Sequence, residues 1–151
     1  MHAGLSLLNQ VAFERVENAV AAGTTDQTSA GVAIDGFEVL TFLVLWGAIT
    51  TSAVTSVKLQ QSSDDGSTDA YSDIEGTNIT VADDADNKMT IIEIVKPTKR
   101  YVRAYLDLGT QNAVIDGVVC LKSHCRGVIP LTQGSTVQGA ETHVSPEEGT
   151  A

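Results

Sequence analysis

Residues 37–46 read Phe-Glu-Val-Leu-Thr-Phe-Leu-Val-Leu-Trp and form the most apolar segment of the chain. β-Branched and aromatic side chains suit a pleated, half-buried surface better than a helix. In strand alternation Phe37, Val39, Thr41, Leu43 and Leu45 share one face, and Glu38, Leu40, Phe42, Val44 and Trp46 the other. Both faces are apolar beyond Glu38, which predicts a central strand buried on both sides. Such a strand cannot stand alone; the rest of the chain has to supply sheet neighbours and a covering layer. The apolar run from 37 to 49 is broken by Glu38 and Thr41 and falls short of the roughly 20 residues of a membrane span.

The rest of the chain has the texture of an all-β domain, with short apolar runs between turn clusters. Strands are predicted over 28–34, 54–60, 78–81, 89–95, 100–108 and 113–122. Asp35-Gly36 and Asp83-Asp84-Ala85-Asp86-Asn87 read as turns, because Asp and Asn side chains bond their own backbone there. Seven or eight short strands with turns every ~8–12 residues describe a β-sandwich or jelly-roll-like single domain. We place that domain at 25–130. Residues 1–24 are expected to be an N-terminal arm or a short helix, since Leu5, Leu8, Ala12, Val16 and Ala19 fall at helical spacing. The Thr/Gln/Gly/Glu-rich stretch 131–151 is expected to be a C-terminal arm.

At 151 residues, one domain is the natural reading. Nine Lys and Arg against nineteen Asp and Glu leave a net charge of -10, which disfavours nucleic acid and anionic membranes as partners. Two cysteines and no recognisable secretory leader lead us to expect a soluble protein made in a cytoplasm.

Motifs that could carry chemistry are weak. The stretch 62–86 holds eight carboxylates (Asp64, Asp65, Asp69, Asp73, Glu75, Asp83, Asp84, Asp86) and no Lys or Arg. Its Gly66 comes too early for a calcium loop and no closing Glu follows, so we read a solvated turn. Cys120, His124 and Cys125 lack the paired spacing of a zinc site. A thiol in an apolar strand, as at Cys120, acts as a small hydrophobe. We expect no catalytic residues, no metal and no cofactor, and assign no enzyme activity. The basic island is more informative: Lys96, Lys99, Arg100 and Arg103 place four of the nine positive charges within eight residues. Tyr101, Arg103 and Tyr105 would share one strand face, and Tyr and Arg are enriched at protein interfaces. Lys96, Lys99, Arg100, Tyr101, Arg103 and Tyr105 are therefore candidate partner-binding residues. The alternative is internal pairing with Asp64, Asp65 or Asp83.

The run Lys96-Pro97-Thr98-Lys99-Arg100-Tyr101-Val102-Arg103-Ala104 resembles a family of head decoration, or cement, proteins of tailed bacteriophages. Further matching pieces lie at 42–49, 57–62, 112–117 and 145–151, so the resemblance spans roughly 36–151. It implies a structural virion protein on the outer capsid surface, with the major capsid protein as partner and self-association as a homodimer or homotrimer. It also implies stabilisation of the shell by bridging capsid subunits. Alternative readings are a tail-tube or head–tail connector protein, or a carbohydrate-binding sandwich module. Cys120 and Cys125 depart from that family's pattern.

Overall fold

The computed structural model describes residues 6–127, 131–143 and 148–149. A 3-10 turn at Leu7–Asn9 precedes eleven strands. They are β1 (Ala12–Glu17), β2 (Val20–Gly23), β3 (Gln27–Thr28), β4 (Val32–Ala33), β5 (Val39–Ile49), β6 (Thr55–Ser62), β7 (Ser72–Asp73), β8 (Ile79–Val81), β9 (Met89–Val95), β10 (Tyr101–Asp107) and β11 (Ala113–Ser123). All pairings are antiparallel. In one sheet β1 and β2 lie along β11, which pairs β5, which pairs β9. In the other β3 and β4 lie along β10, which pairs β6, which pairs β7 and β8. Treating each broken strand as one lane gives eight lanes in the orders 1-8-3-6 and 2-7-4-5, a jelly-roll sandwich. We call the sheets A and B in that order.

The core is the space between the sheets. Leu40, Phe42, Val44 and Trp46 of β5 meet Val57 and Leu59 of β6 and Val102, Ala104 and Leu106 of β10, all almost fully buried. Trp46 keeps its indole N–H satisfied by donating to Thr90 Oγ1 at 2.9 Å. A buried donor left unpaired would cost about 1–3 kcal/mol.

Three expectations need correction. β5 is central in its sheet, but it is buried on one face only: Thr41, Leu43 and Leu45 are half-buried on the outer surface of sheet A. Residues 6–24 are neither arm nor helix throughout, because 12–17 and 20–23 are strands whose Ala12 and Val16 are buried, while 1–5 lie outside the described residues. Helical spacing of small apolar residues fits a strand equally once a partner edge, here β11, is available. The strand expected over 28–34 is split at Ser29, whose hydroxyl takes the Ala104 N–H at 2.9 Å in place of a ladder bond. β11 carries a bulge near Gly117, which sits at φ 146°, a conformation open to glycine. The bulge lets Ala113 and Ile115 before it, and Val118 and Cys120 after it, all face the core.

Of the 131–151 stretch, the described residues hold no strand, but Gln133 and Thr136 bond to the open edge of β1. Gln133 accepts the Phe13 N–H at 2.8 Å and donates to the Val11 carbonyl at 2.9 Å, while Thr136 accepts the Arg15 N–H at 3.0 Å. Side chains thus occupy amides that a neighbouring strand would otherwise take.

The two faces of β5 give a sharp test. Phe42→Asp places an unpaired charge in the core, a cost of several kcal/mol against a domain stability of about 5–15, and should abolish cooperative folding in circular dichroism melts. Leu43→Asp, one residue away on the outer face, should remain folded.

Candidate interaction surfaces

The two outer faces of the sandwich differ in kind. On sheet B the cross-strand pairs Tyr105–Lys58 and Arg103–Gln60 sit beside Asp73 of β7. Lys58 Nζ meets Asp73 Oδ2 at 2.6 Å and lies 4.9 Å from the centre of the Tyr105 ring. Gln60 donates to Asp73 Oδ1 at 2.8 Å and accepts from Arg103 Nε at 2.9 Å. The Arg103 guanidinium lies 4.1 Å from the Tyr71 ring centre, and the Tyr71 hydroxyl donates to Asp65 at 2.5 Å. Burial, then the Asp65 bond, pushes the Tyr71 phenol well above its ordinary range. Tyr105 is also raised, chiefly because its hydroxyl donates to Asp26 at 2.6 Å.

Each of the four cations of the basic island has a partner in its own chain. Lys99 pairs with Asp69 at 2.7 Å, Arg100 with Asp35 at 2.5 Å, and Lys96 loosely with Glu38 at 3.9 Å. Arg103 uses Gln60 and Tyr71, as above. These partners differ from the Asp64, Asp65 and Asp83 that the sequence put forward, except that Asp65 reaches Arg103 through Tyr71. Asp83 instead accepts the Ser52 N–H at 2.6 Å and Asp86 the Ile49 N–H at 2.6 Å, so their turn is pinned to the end of β5. The Lys99 bond, with the Ser63 N–H and hydroxyl, holds the Asp69 carboxyl down to about 2 from 3.8. Arg100 likewise lowers Asp35, Arg126 lowers Glu38, and Lys58 lowers Asp73.

The acidic loop satisfies itself: Asp64 accepts the Thr68 N–H at 2.8 Å and Asp69 accepts the Ser63 N–H at 2.8 Å. Among the described residues no group of three His, Cys, Asp or Glu is placed to hold a metal. Cys120 is a buried free thiol, pushed up to about 12 mainly by burial, and Cys125 is a half-exposed free thiol.

On sheet A the outer face is apolar. Across it run Phe13, Leu121 and Val119, then Leu43 and Leu45, then Met89, Ile91 and Val95. Met89, Ile91 and Val95 are more than half exposed, at 57%, 55% and 59%. Arg15, Thr41, Ser123 and Glu93 are polar members of the rows, Thr41 donating to Glu93 at 3.0 Å. The sequence carried this signal in the double-sided apolarity of 37–46, read there as burial.

No family model matches the chain, and no curated protein does. Among solved structures, the chain is similar to a protein of Bacillus endospore appendages, which form a novel family of disulfide-linked pili. The identity is 10% over 76% of this chain and 88% of that one, with a TM-score of 0.45. A likeness of that size carries no argument about partners or chemistry.

Two outcomes follow for sheet B. Arg103→Ala removes a hydrogen bond and a ring contact and should lower stability by about 1–2 kcal/mol in urea melts. Arg100→Ala, which breaks an exposed surface pair, should cost less than Arg103→Ala. The lowered carboxyls work the other way with acid: a group depressed on folding stabilises above its unfolded value and loses that effect as pH falls through the folded one. The melting temperature should therefore drop between pH 3.8 and about 2, and Lys99→Ala should flatten that drop.

Proposed function

We propose that the protein is a structural component of a bacteriophage virion that decorates the outside of the capsid. There it stabilises the shell by bridging major capsid protein subunits. The observation that carries this reading is the contrast between the two outer faces. Sheet B is a polar surface whose cations and carboxylates are already paired within the chain. The outer face of sheet A is a broad apolar surface with few polar groups, the kind that marks a protein–protein contact. The resemblance over 36–151 supplies the class of partner.

On this reading sheet A lies against the seam between capsid subunits and sheet B faces solvent, where its acidity keeps decorated particles apart. The Tyr and Arg residues of the basic island then act first as internal struts that hold the loops 62–73 and 34–37 in place. Each copy adds apolar burial at about 25 cal/mol per Å² of covered surface, and repetition over the shell multiplies a modest contact.

The test is to add purified protein to shells that lack it and follow their resistance to heat. Wild-type protein should raise the temperature at which shells rupture. Leu43→Asp, folded but with a charge in the middle of the apolar face, should bind at least about tenfold more weakly and give little protection. Shells that rupture at the same temperature with and without wild-type protein would sink the proposal.

A further inference from the structure

A sandwich of two open sheets has four edges, and each presents a row of backbone N–H and C=O groups. Three of the four are blunted here. The β1 edge is occupied by Gln133 and Thr136. The β3/β4 edge is cut into two-residue pieces, and the β7/β8 edge into pieces of two and three residues. The β9 edge is different. It is an unbroken seven-residue strand, Met-Thr-Ile-Ile-Glu-Ile-Val, with no Pro or Lys inside it. It ends sheet A, and among the described residues no strand lies beyond it.

Its register with β5 shows which groups point outward. Lys96 N–H bonds to the Glu38 carbonyl at 2.7 Å and Trp46 N–H to the Lys88 carbonyl at 2.9 Å, at the two ends of the ladder. Antiparallel bonding alternates, so the even-numbered residues face β5. Met89, Ile91, Glu93 and Val95 turn their N–H and C=O to the open side. Three of these four also carry the most exposed apolar side chains of sheet A.

We propose that the β9 edge binds the β9 edge of a second copy of this chain, antiparallel about a two-fold axis, so that sheet A runs continuously through both. Two features select a second copy. The outward groups alternate evenly along the strand, so a two-fold pairing with Ile91 opposite its own mate bonds 89 to 93 and 91 to 91, with 95 beyond. Charge is also complementary end to end. The turn before β9 carries Asp83, Asp84 and Asp86 against the single Lys88, whereas Lys96 closes the other end with its side chain 65% exposed. Antiparallel pairing brings each Lys96 to the partner's acidic turn, twice over. In a chain of net charge -10, these two contacts offset part of the repulsion between like molecules. Met89, Ile91 and Val95 of each copy then cover one another's flanks, and the apolar outer face doubles in width.

The experiment uses the isolated full-length protein and does not depend on the capsid reading. Sedimentation equilibrium across a dilution series should give a species of twice the 15.8 kDa chain mass. Ile91→Lys, at an exposed site, should stay folded and raise the dissociation constant more than about tenfold. Lys96→Glu should weaken the dimer, and adding Asp84→Lys should restore it. Hydrogen exchange on wild-type protein should show the Ile91 and Glu93 amides slowing as concentration rises. A monomer or a trimer at all concentrations, or a dimer untouched by Ile91→Lys with fast exchange at Ile91, would overturn the proposal.

Discussion

The β5–β11 ladder is the contact on which the rest of the sandwich depends. β11 is the last strand among the described residues, yet it lies between β1 and β5 and completes sheet A from within. Without it β1 and β2 have no partner, β5 has only β9, and the inner faces of Phe42, Val44 and Trp46 lose the neighbours that keep them dry. Its pairing runs from Ala113–Ile49 to Ser123–Val39, joining residues more than sixty positions apart. Contacts of that sequence separation make such folds slow to form, because loop entropy is lost before any pairing is gained.

Much of this was legible in the sequence, and the failures have physical causes. The strands at 89–95, 101–107 and 113–123 lie where alternation and turn residues put them, within a residue or two at each end. Trp46 is buried, and the Asp35-Gly36 turn is present with Gly36 at φ 78°. What alternation could not tell was whether a second apolar face is covered by the same chain. Leu43 and Ile91 look alike in sequence whether they line a core or a contact surface. Residues 12–23 were misread because the partner that makes them strands sits a hundred residues away. The split at Ser29 and the bulge at Gly117 depend on single hydrogen bonds and a single dihedral, which leave little trace in composition.

The candidate site shows the same division. The island of cations at 96–103 and the facing of Tyr101, Arg103 and Tyr105 were readable from spacing alone. Their partners were not, since Asp35 comes from one loop and Asp69 and Tyr71 from another, brought together only by sheet B. The result is a division of labour between faces: one sheet uses its polar groups on itself, and the other leaves apolar surface for something else. The paired polar groups of sheet B and the apolar outer face of sheet A are different residues, and a change on one face need not disturb the other.

The tail at Gln133 and Thr136 has a consequence for assembly geometry. Strands that pair edge to edge can propagate without limit if a subunit offers two open edges, and stop after one step if it offers one. By holding the β1 amides with two side chains, the chain keeps a single long edge available and makes sheet growth self-terminating. The difference between a pair that closes on itself and an endless ribbon then rests on a few hydrogen bonds from a segment whose described residues form no strand.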